Sequence, residues 1–356
     1  MDLRNNPYAA RTAARVMRSL VIGKGMPDVA IAYAQGKNWN DAAHVADHIK
    51  SAVTQMGTSD LLPATIAAAE FSAAVRPLTV IGRLQGVRHV PLFLRILTAL
   101  NGASARFVGE GKPVPVSAPD LAGETLLPKK CSGITIQTLE LATSSKPVSE
   151  NLLGDDLASA CAQAIDQAFL DPANAGDAET PASITSGITA LNSTGATLAN
   201  VDADLRAMLD QLIYAGSTMQ LAQWIMRPLT AAYLSGLRGT GGDLAYPTIS
   251  VLGGTLLGLP VIVSGSFPDA GSPPVGTIVL VDGSQVCLGD ENQAELAIST
   301  AAAFQLSDAP TNDASGATAT TTVSMFQTHS VALRGSRYLN WSLRRPFVSV
   351  LAGVTY

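Results

Sequence analysis

The stretch ARFVGEGKPVPVSAPD, residues 105–120, decides how the rest of the chain reads. Pro113, Pro115 and Pro119 each remove a backbone donor and clash with a preceding turn, so no helix runs through it. A central strand is excluded as well, because proline is confined to sheet edges and bulges. Yet Phe107, Val108, Val114 and Val116 are too apolar for an idle solvated loop. The stretch therefore reads as an extended, partly apolar arm whose charges are Glu110 and Lys112. Downstream, in ETLLPKKCSGITIQTLELA (124–142), Ile134 and Ile136 alternate with threonines at period two, as in a strand. The arm is then the tip of a long two-stranded excursion that leaves from the mixed strand and helix signals of residues 78–100.

After the excursion comes the strongest helical pattern of the chain. Ser149 suits the N-cap, and Leu153, Leu157, Ala160, Cys161, Ala164, Ile165 and Ala168 form one apolar stripe that stops before Pro172. Asp155 and Asp156 fall near its start and suit the positive end of the helix dipole. A small-residue stretch, 173–200, reads as a loop. Two helices are predicted next, 200–216 with Asn200 or Asp202 as cap, and 219–237 kinked at Pro228. Strands separated by glycine turns follow, then a loop at 308–320, and the chain closes in alternating strand patterns. Before the arm, helical spacing runs over 9–35, 39–55 and 63–75. The first of these helices carries Arg11, Arg15 and Arg18 on one face, which suits a polyanion, an acidic partner or solvent. The second carries His44 and His48 at metal-chelating spacing, but only Asp41 and Asp47 stand near, so a solvated face is the reading taken.

Only 14% of residues are charged, well under the usual quarter, so the chain presents a neutral surface or buries much of it on partners. Large apolar interfaces of that kind are the habit of obligate oligomers. A formal net charge of −5 excludes a wholly cationic nucleic-acid binder. Cys131, Cys161 and Cys287 form no CxxC, which argues against a zinc site or a disulfide framework. The charge-free run 244–268 holds Pro247, Pro260 and repeated glycine, and reads as turns and strands, not as a membrane span. There is no Walker loop, HExxH, GxSxG or dinucleotide fingerprint in the sequence. The glycine-rich GLRGTGGD (236–242 and the following Asp243) lacks the lysine and the preceding strand of a phosphate cradle. His89 and His329 are isolated, and no catalytic residue, metal site or cofactor is assigned.

The order of parts resembles the major capsid proteins of tailed bacteriophages, of the Hong Kong 97-type fold. FVGEGKPVPVS resembles that family's entry into its extended loop, with Phe107 where the family usually has Trp, and AGETLLPKK resembles the return. VSENLLGDD and AIDQAFLDP resemble its spine helix and exit, and PASIT the turn into its axial domain. WIMRPLTAAYLSGL, GGTLLGLPVIVS and the closing MFQTHSVALRGSRYLNWSLRRPFVSVLAGVTY resemble later stretches, so that the likeness covers about residues 15–356.

The resemblance implies an α+β fold. Its parts are an N-terminal helical arm (1–76), a peripheral domain (77–104, 131–182 with a spine helix at 149–171, and return strands 319–356), an extended loop (105–130) and a mixed α/β axial domain (183–318). It implies a non-enzymatic shell subunit that forms hexamers and pentamers around phage double-stranded DNA, assembled in the bacterial host cytoplasm and resident in the virion. Phe107, Val108, Glu110, Lys112, Val114 and Val116 would lie at the interface between subunits. Arg11, Arg15 and Arg18 would face packaged DNA, contacted without sequence preference, or scaffold. Portal, a separate scaffolding protein, a maturation protease and a decoration protein are the further partners it names, with no membrane and no cofactor. Some members cross-link a loop-tip lysine to a neighbour's asparagine; residues 114–121 hold no lysine, so no covalent cross-link is expected. An encapsulin-like compartment shell is the near alternative, and a hydrolase such as a maturation protease the distant one.

Overall fold

The computed structural model describes residues 15, 19, 27–37, 39, 42, 43, 45–47, 49, 75–99, 106–110, 112, 114, 116, 121–138, 140, 147–267, 276–290, 294–299, 302–305, 307 and 322–356. The named helices, in chain order, are α1 (Pro27–Gln35), α2 (Val80–Arg83), α3 (Pro147–Leu170), α4 (Leu198–Tyr214), α5 (Pro228–Gly236) and α6 (Met325–Thr328). The strands are β1 (Arg88–His89), β2 (Arg95–Ala99), β3 (Leu121–Thr125), β4 (Lys129–Thr138), β5 (Leu191–Asn192), β6 (Ala222–Met226), β7 (Ile249–Ser250) and β8 (Gly253–Leu256). They continue as β9 (Leu259–Val263), β10 (Gly276–Asp282), β11 (Val286–Gly289), β12 (Ala294–Ser299), β13 (Ala303–Gln305), β14 (Thr322–Ser324), β15 (Ser330–Leu343) and β16 (Val348–Val354).

The chain weaves through two compact units. One comprises Met1–Leu78, Cys131–Gln163 and Asn292–Tyr338; the other comprises Thr79–Lys130, Ala164–Glu291 and Leu339–Tyr356. In the first unit β12 pairs antiparallel with the start of β15, from Ala294 opposite Arg337 to Ser299 opposite Ala332, and β13 pairs with β14. In the second, the end of β15 pairs with β11, from Val286 opposite Leu343 to Gly289 opposite Asn340, and β1 adds in parallel to β11.

The second unit is organised by a seven-stranded sheet in the order β5-β16-β10-β6-β9-β8-β7. β6, AQWIM, is buried at all five positions, between antiparallel β10 and parallel β9. A strand covered on both faces reads as a continuous apolar run with no period of two. For that reason the sequence pattern predicts one kinked helix over 219–237 where the molecule has a strand followed by α5. Pro228 does not kink a helix; it begins one, at the position where its missing N–H and fixed φ cost nothing. α4 packs on β16 through Val201, Leu205, Met208 and Leu212, which form one core with Trp224, Leu280 and Leu351. Its cap is Thr197, whose hydroxyl accepts from the Asn200 N–H, not Asn200 or Asp202, and the helix starts two residues earlier than predicted.

The long helix α3 begins at Pro147, so Ser149 lies inside it and is not the cap. Asp156 is consequently well past the first turn, and the dipole no longer explains it. From Asp156 to Leu170, where burial is described, the buried positions are Leu157, Ala158, Cys161, Ala162, Ile165, Asp166, Phe169 and Leu170. The stripe is therefore rotated from the predicted one, since Ala160 and Ala164 are exposed. At about 1.5 Å rise per residue the 24 residues extend ~36 Å.

The segment PASIT closes the end of this helix. Ser183 donates to the Phe169 carbonyl at 2.8 Å and Thr185 to the Leu170 carbonyl at 3.0 Å. Carbonyls of a final helical turn have no intrahelical partner, and here hydroxyls and the Ile184 N–H supply partners for them. Trp341 locks the same corner: its ring meets Phe169 edge-on at 5.3 Å and its indole N–H donates to Ala182 O.

Candidate functional site

The arm is held at its root by backbone pairing. β2 and β3 form an antiparallel ladder from Arg95 opposite Thr125 to Ala99 opposite Leu121. The Arg95 guanidinium lies over Gly123, in the space that a Cβ there would take. Below the ladder the chain is pinned again. Phe93 N–H donates to Leu126 O at 2.9 Å, Asn340 Nδ2 to Leu127 O at 2.6 Å, and Lys129 Nζ to the carbonyls of Asp177 and Ala178. Leu126 and Leu92 are buried there, with Leu92 against Gly289.

Beyond the ladder the chain runs out into solvent. Lys112 N–H donates to Gly109 O at 3.1 Å, the i to i+3 bond of a β-turn that contains Glu110 and ends on Lys112, both exposed. Phe107 and Val116 are fully exposed, Val114 is 72% exposed, and Val108 is half-buried. An arm with three large apolar side chains in water is costly alone and gains only when another surface covers it.

The structure adds residues at the root that sequence reasoning missed. Phe93, Leu94 and Leu127 are each more than half exposed, and Phe93 holds a left-handed backbone at φ 66°. A bulky residue in that region is uncommon. No sequence pattern announces it, since VPLFL reads equally as a buried strand.

Of the arginine face predicted for residues 9–35, only Arg15 is described, and it is half-buried with its guanidinium 5.3 Å from the Trp39 ring centre. Arg11, Arg18, His44 and His48 lie outside the described residues, as does the loop 308–320. His89 sits exposed on β1, and His329 is the left-handed C-cap of α6. Among the described residues no three His, Cys, Asp or Glu side chains converge as a metal site. No described helix is long and apolar enough to cross a membrane. GLRGTGGD folds as a tight exit from α5, with Arg238 bridging to Leu244 and donating to the Gly242 carbonyl.

Residues 59–346 match the phage capsid family. The chain is 36% identical over 321 residues to a capsid polyprotein of Pseudomonas phage PAJU2, a match covering 86% of this chain and 48% of that protein. The chain thus spans about half the length of the curated relative it matches. Among solved structures, it is similar to a chain of Mycobacterium phage Ogopogo (TM-score 0.57, 19% identity, 77% of this chain and 92% of that one). A chain of Gordonia phage Cozz is comparable (0.56, 17%, 77% and 86%). So is the capsid of a native GTA particle computed with C5 symmetry (0.52, 15%, 80% and 91%).

Proposed function

The chain belongs to the phage capsid family and has its Hong Kong 97-type α+β fold, and from that premise we propose that it is the major shell subunit of a phage head, assembling as hexamers and pentamers around double-stranded DNA. The observation that carries this reading is the arm: Phe107, Val114 and Val116 stand in solvent on a segment whose root is fixed by a β-ladder and three further hydrogen-bonded anchors. In this reading the arm lies on a second copy of the chain. Its prolines leave little conformational entropy to lose on docking, and its apolar side chains gain about 25 cal/mol per Å² they bury there. Glu110 and Lys112 set the register against the neighbour.

Packaged DNA and scaffold would be met by Arg11 and Arg18 ahead of Arg15, whose guanidinium is engaged by Trp39. Portal, scaffold, protease and decoration protein complete the partner set, and the virion is the place of residence, reached by assembly in the host cytoplasm. The six-part division belongs to the same proposal, with an axial domain at 183–318 that supplies six strands of the seven-stranded sheet and takes the seventh, β16, from the closing segment 319–356.

The test is the double variant Phe107→Asp/Val116→Asp, expressed under conditions in which the wild type yields shells by electron microscopy. The variant is expected to melt at the wild-type temperature and to form no shells. Shells of normal yield and size from the variant would overturn the assignment of the arm.

A further inference from the structure

β4 presents two different faces. Lys129, Cys131, Gly133 and Thr135 are half-buried, whereas Lys130, Ser132 and Ile134 are exposed. After Lys129 the inward face is made of small residues, Cys131, Gly133 and Thr135, and one of them shows why. A Cβ on Gly133 would stand 3.0 Å from the Leu157 side chain and 3.9 Å from the Cys161 sulfur. The strand thus runs close against α3 at the turn that carries Cys161. Two residues earlier on the same face, the Cys131 thiol donates to the Cys161 carbonyl oxygen at 3.9 Å, which sets the two cysteines side by side. The third cysteine, Cys287, is fully buried on β11.

The two thiols are unequal in ways that matter for chemistry. Cys131 is half-exposed and Cys161 is buried. The neighbouring Cys161 thiol and the field of Arg337 hold the Cys131 thiol below its usual range, against the effect of burial. The Cys131 thiol beside it and burial push the Cys161 thiol up. The thiolate is the nucleophile in disulfide exchange, so the accessible cysteine is also the one that ionises first.

We propose that Cys131 and Cys161 are a redox pair, in which Cys131 attacks a low-molecular-weight disulfide, Cys161 resolves the adduct, and the resulting bond ties β4 to α3. In the first step the Cys131 thiolate displaces one thiolate of the small disulfide and forms a mixed disulfide. In the second, the Cys161 sulfur gives up its proton to the departing thiolate, attacks the Cys131 sulfur and expels the remaining small thiol. Two protein thiols are oxidised by two electrons and one small disulfide is reduced to two thiols. The pair stays reduced where the chain is made and closes when a particle leaves the cell, a context that rests on the shell reading above; the chemistry itself does not.

The experiment uses the full chain, reduced and then exposed to excess oxidised glutathione, followed by alkylation, proteolysis and mass spectrometry. Two thiols are expected to disappear into a Cys131–Cys161 linked peptide pair, two hydrogens lighter than the sum of its parts, with Cys287 alkylated. Cys161→Ser is expected to stop at a glutathione adduct on Cys131. A wild-type chain that stops at the same adduct, keeps all three thiols, or links Cys287 overturns the proposal. Linkage is read on the chain whether or not it assembles, and microscopy of the same sample reads assembly, so each failure is told from the other.

Discussion

The Asp166 carboxylate is 1% exposed, on the inward face of α3, and is held from two sides. The Val80 N–H donates to Oδ1 at 2.7 Å from the first turn of α2, and the Ser264 hydroxyl donates to Oδ2 at 3.1 Å from the loop after β9. Burial pushes its pKa up to about 6, against the pull of those two donors and of Arg83. Between roughly pH 4 and 6 the folded protein keeps a proton that the unfolded chain has released, so stability falls as pH rises through that window and is flat above it. The loss is on the order of 3 kcal/mol. Asp166→Asn preserves the shape and the Val80 contact but cannot ionise. Urea titrations from pH 4 to 7 are expected to show a falling midpoint for the wild type and a nearly constant one for the variant; parallel curves would mean that Asp166 is not the group responsible. Gly283 is a second residue with a single role. The Gln85 carbonyl fills the position of its absent Cβ and also accepts from Gln223 Nε2, so it has no room to retreat. Gly283→Ala is expected to cost about 2 kcal/mol or more, read as a lower thermal midpoint.

At the scale of elements, the corner where α3 ends carries a prediction of its own. Ser183 and Thr185 donate there to two carbonyls, and Ser183 also accepts from the Thr185 N–H; in Ser183→Ala with Thr185→Val the Phe169 carbonyl keeps the Ile184 N–H, but the Leu170 carbonyl and the Thr185 N–H both lose their hydroxyl partners in the interior. The expected loss is about 2–4 kcal/mol, and the m-value should not change, because the same surface is exposed on unfolding. What the sequence made legible follows from which signals are local. Proline and glycine punctuation located the arm, and the 3.6-residue period located α3 and α4, because both act within a turn of chain. β6 is not legible in the sequence because its burial comes from β9 and β10, more than thirty residues away, and a doubly covered strand has no alternation to reveal it. The start of α3 differs from the sequence pattern because Ser149, a residue type that suits a cap, stands just inside the helix that Pro147 opens. Ile134 and Ile136 alternate as expected of a strand, but the face toward the helix is the one bearing Cys131 and Gly133, and Ile134 is left outside. Closeness of backbone, not hydrophobicity, chose that face. The Asp166 and Cys131 pairings join residues 30 to 98 apart, and no spacing rule reaches them.

For the whole molecule, the proposed docking of the arm on a second copy would give one chain two physical states. In the free subunit its apolar residues are in water and its backbone beyond the β2–β3 ladder makes one turn hydrogen bond among the described residues, Lys112 to Gly109. A protease needs several residues of extended, accessible chain, and this segment offers them. Arg106 is exposed immediately before Phe107, and the next basic residue, Lys112, is followed by Pro113, which blocks tryptic cleavage. Brief trypsin treatment of the unassembled chain is therefore expected to cut first after Arg106, into two fragments that stay associated through the β-ladder and the long-range sheets. In shells the same bond would lie under a neighbouring copy, with Phe107 covered, and cleavage there is expected to slow at least tenfold while sites on other exposed loops are cut at unchanged rates. Phe107→Asp tests the link between covering and protection: if the arm docks through this side chain, the variant remains as sensitive in any particle it forms as in the free subunit. Equal sensitivity of wild-type shells and free subunits would place the arm outside the contacts between subunits, and the cost of its exposed phenylalanine and valines would then need another explanation.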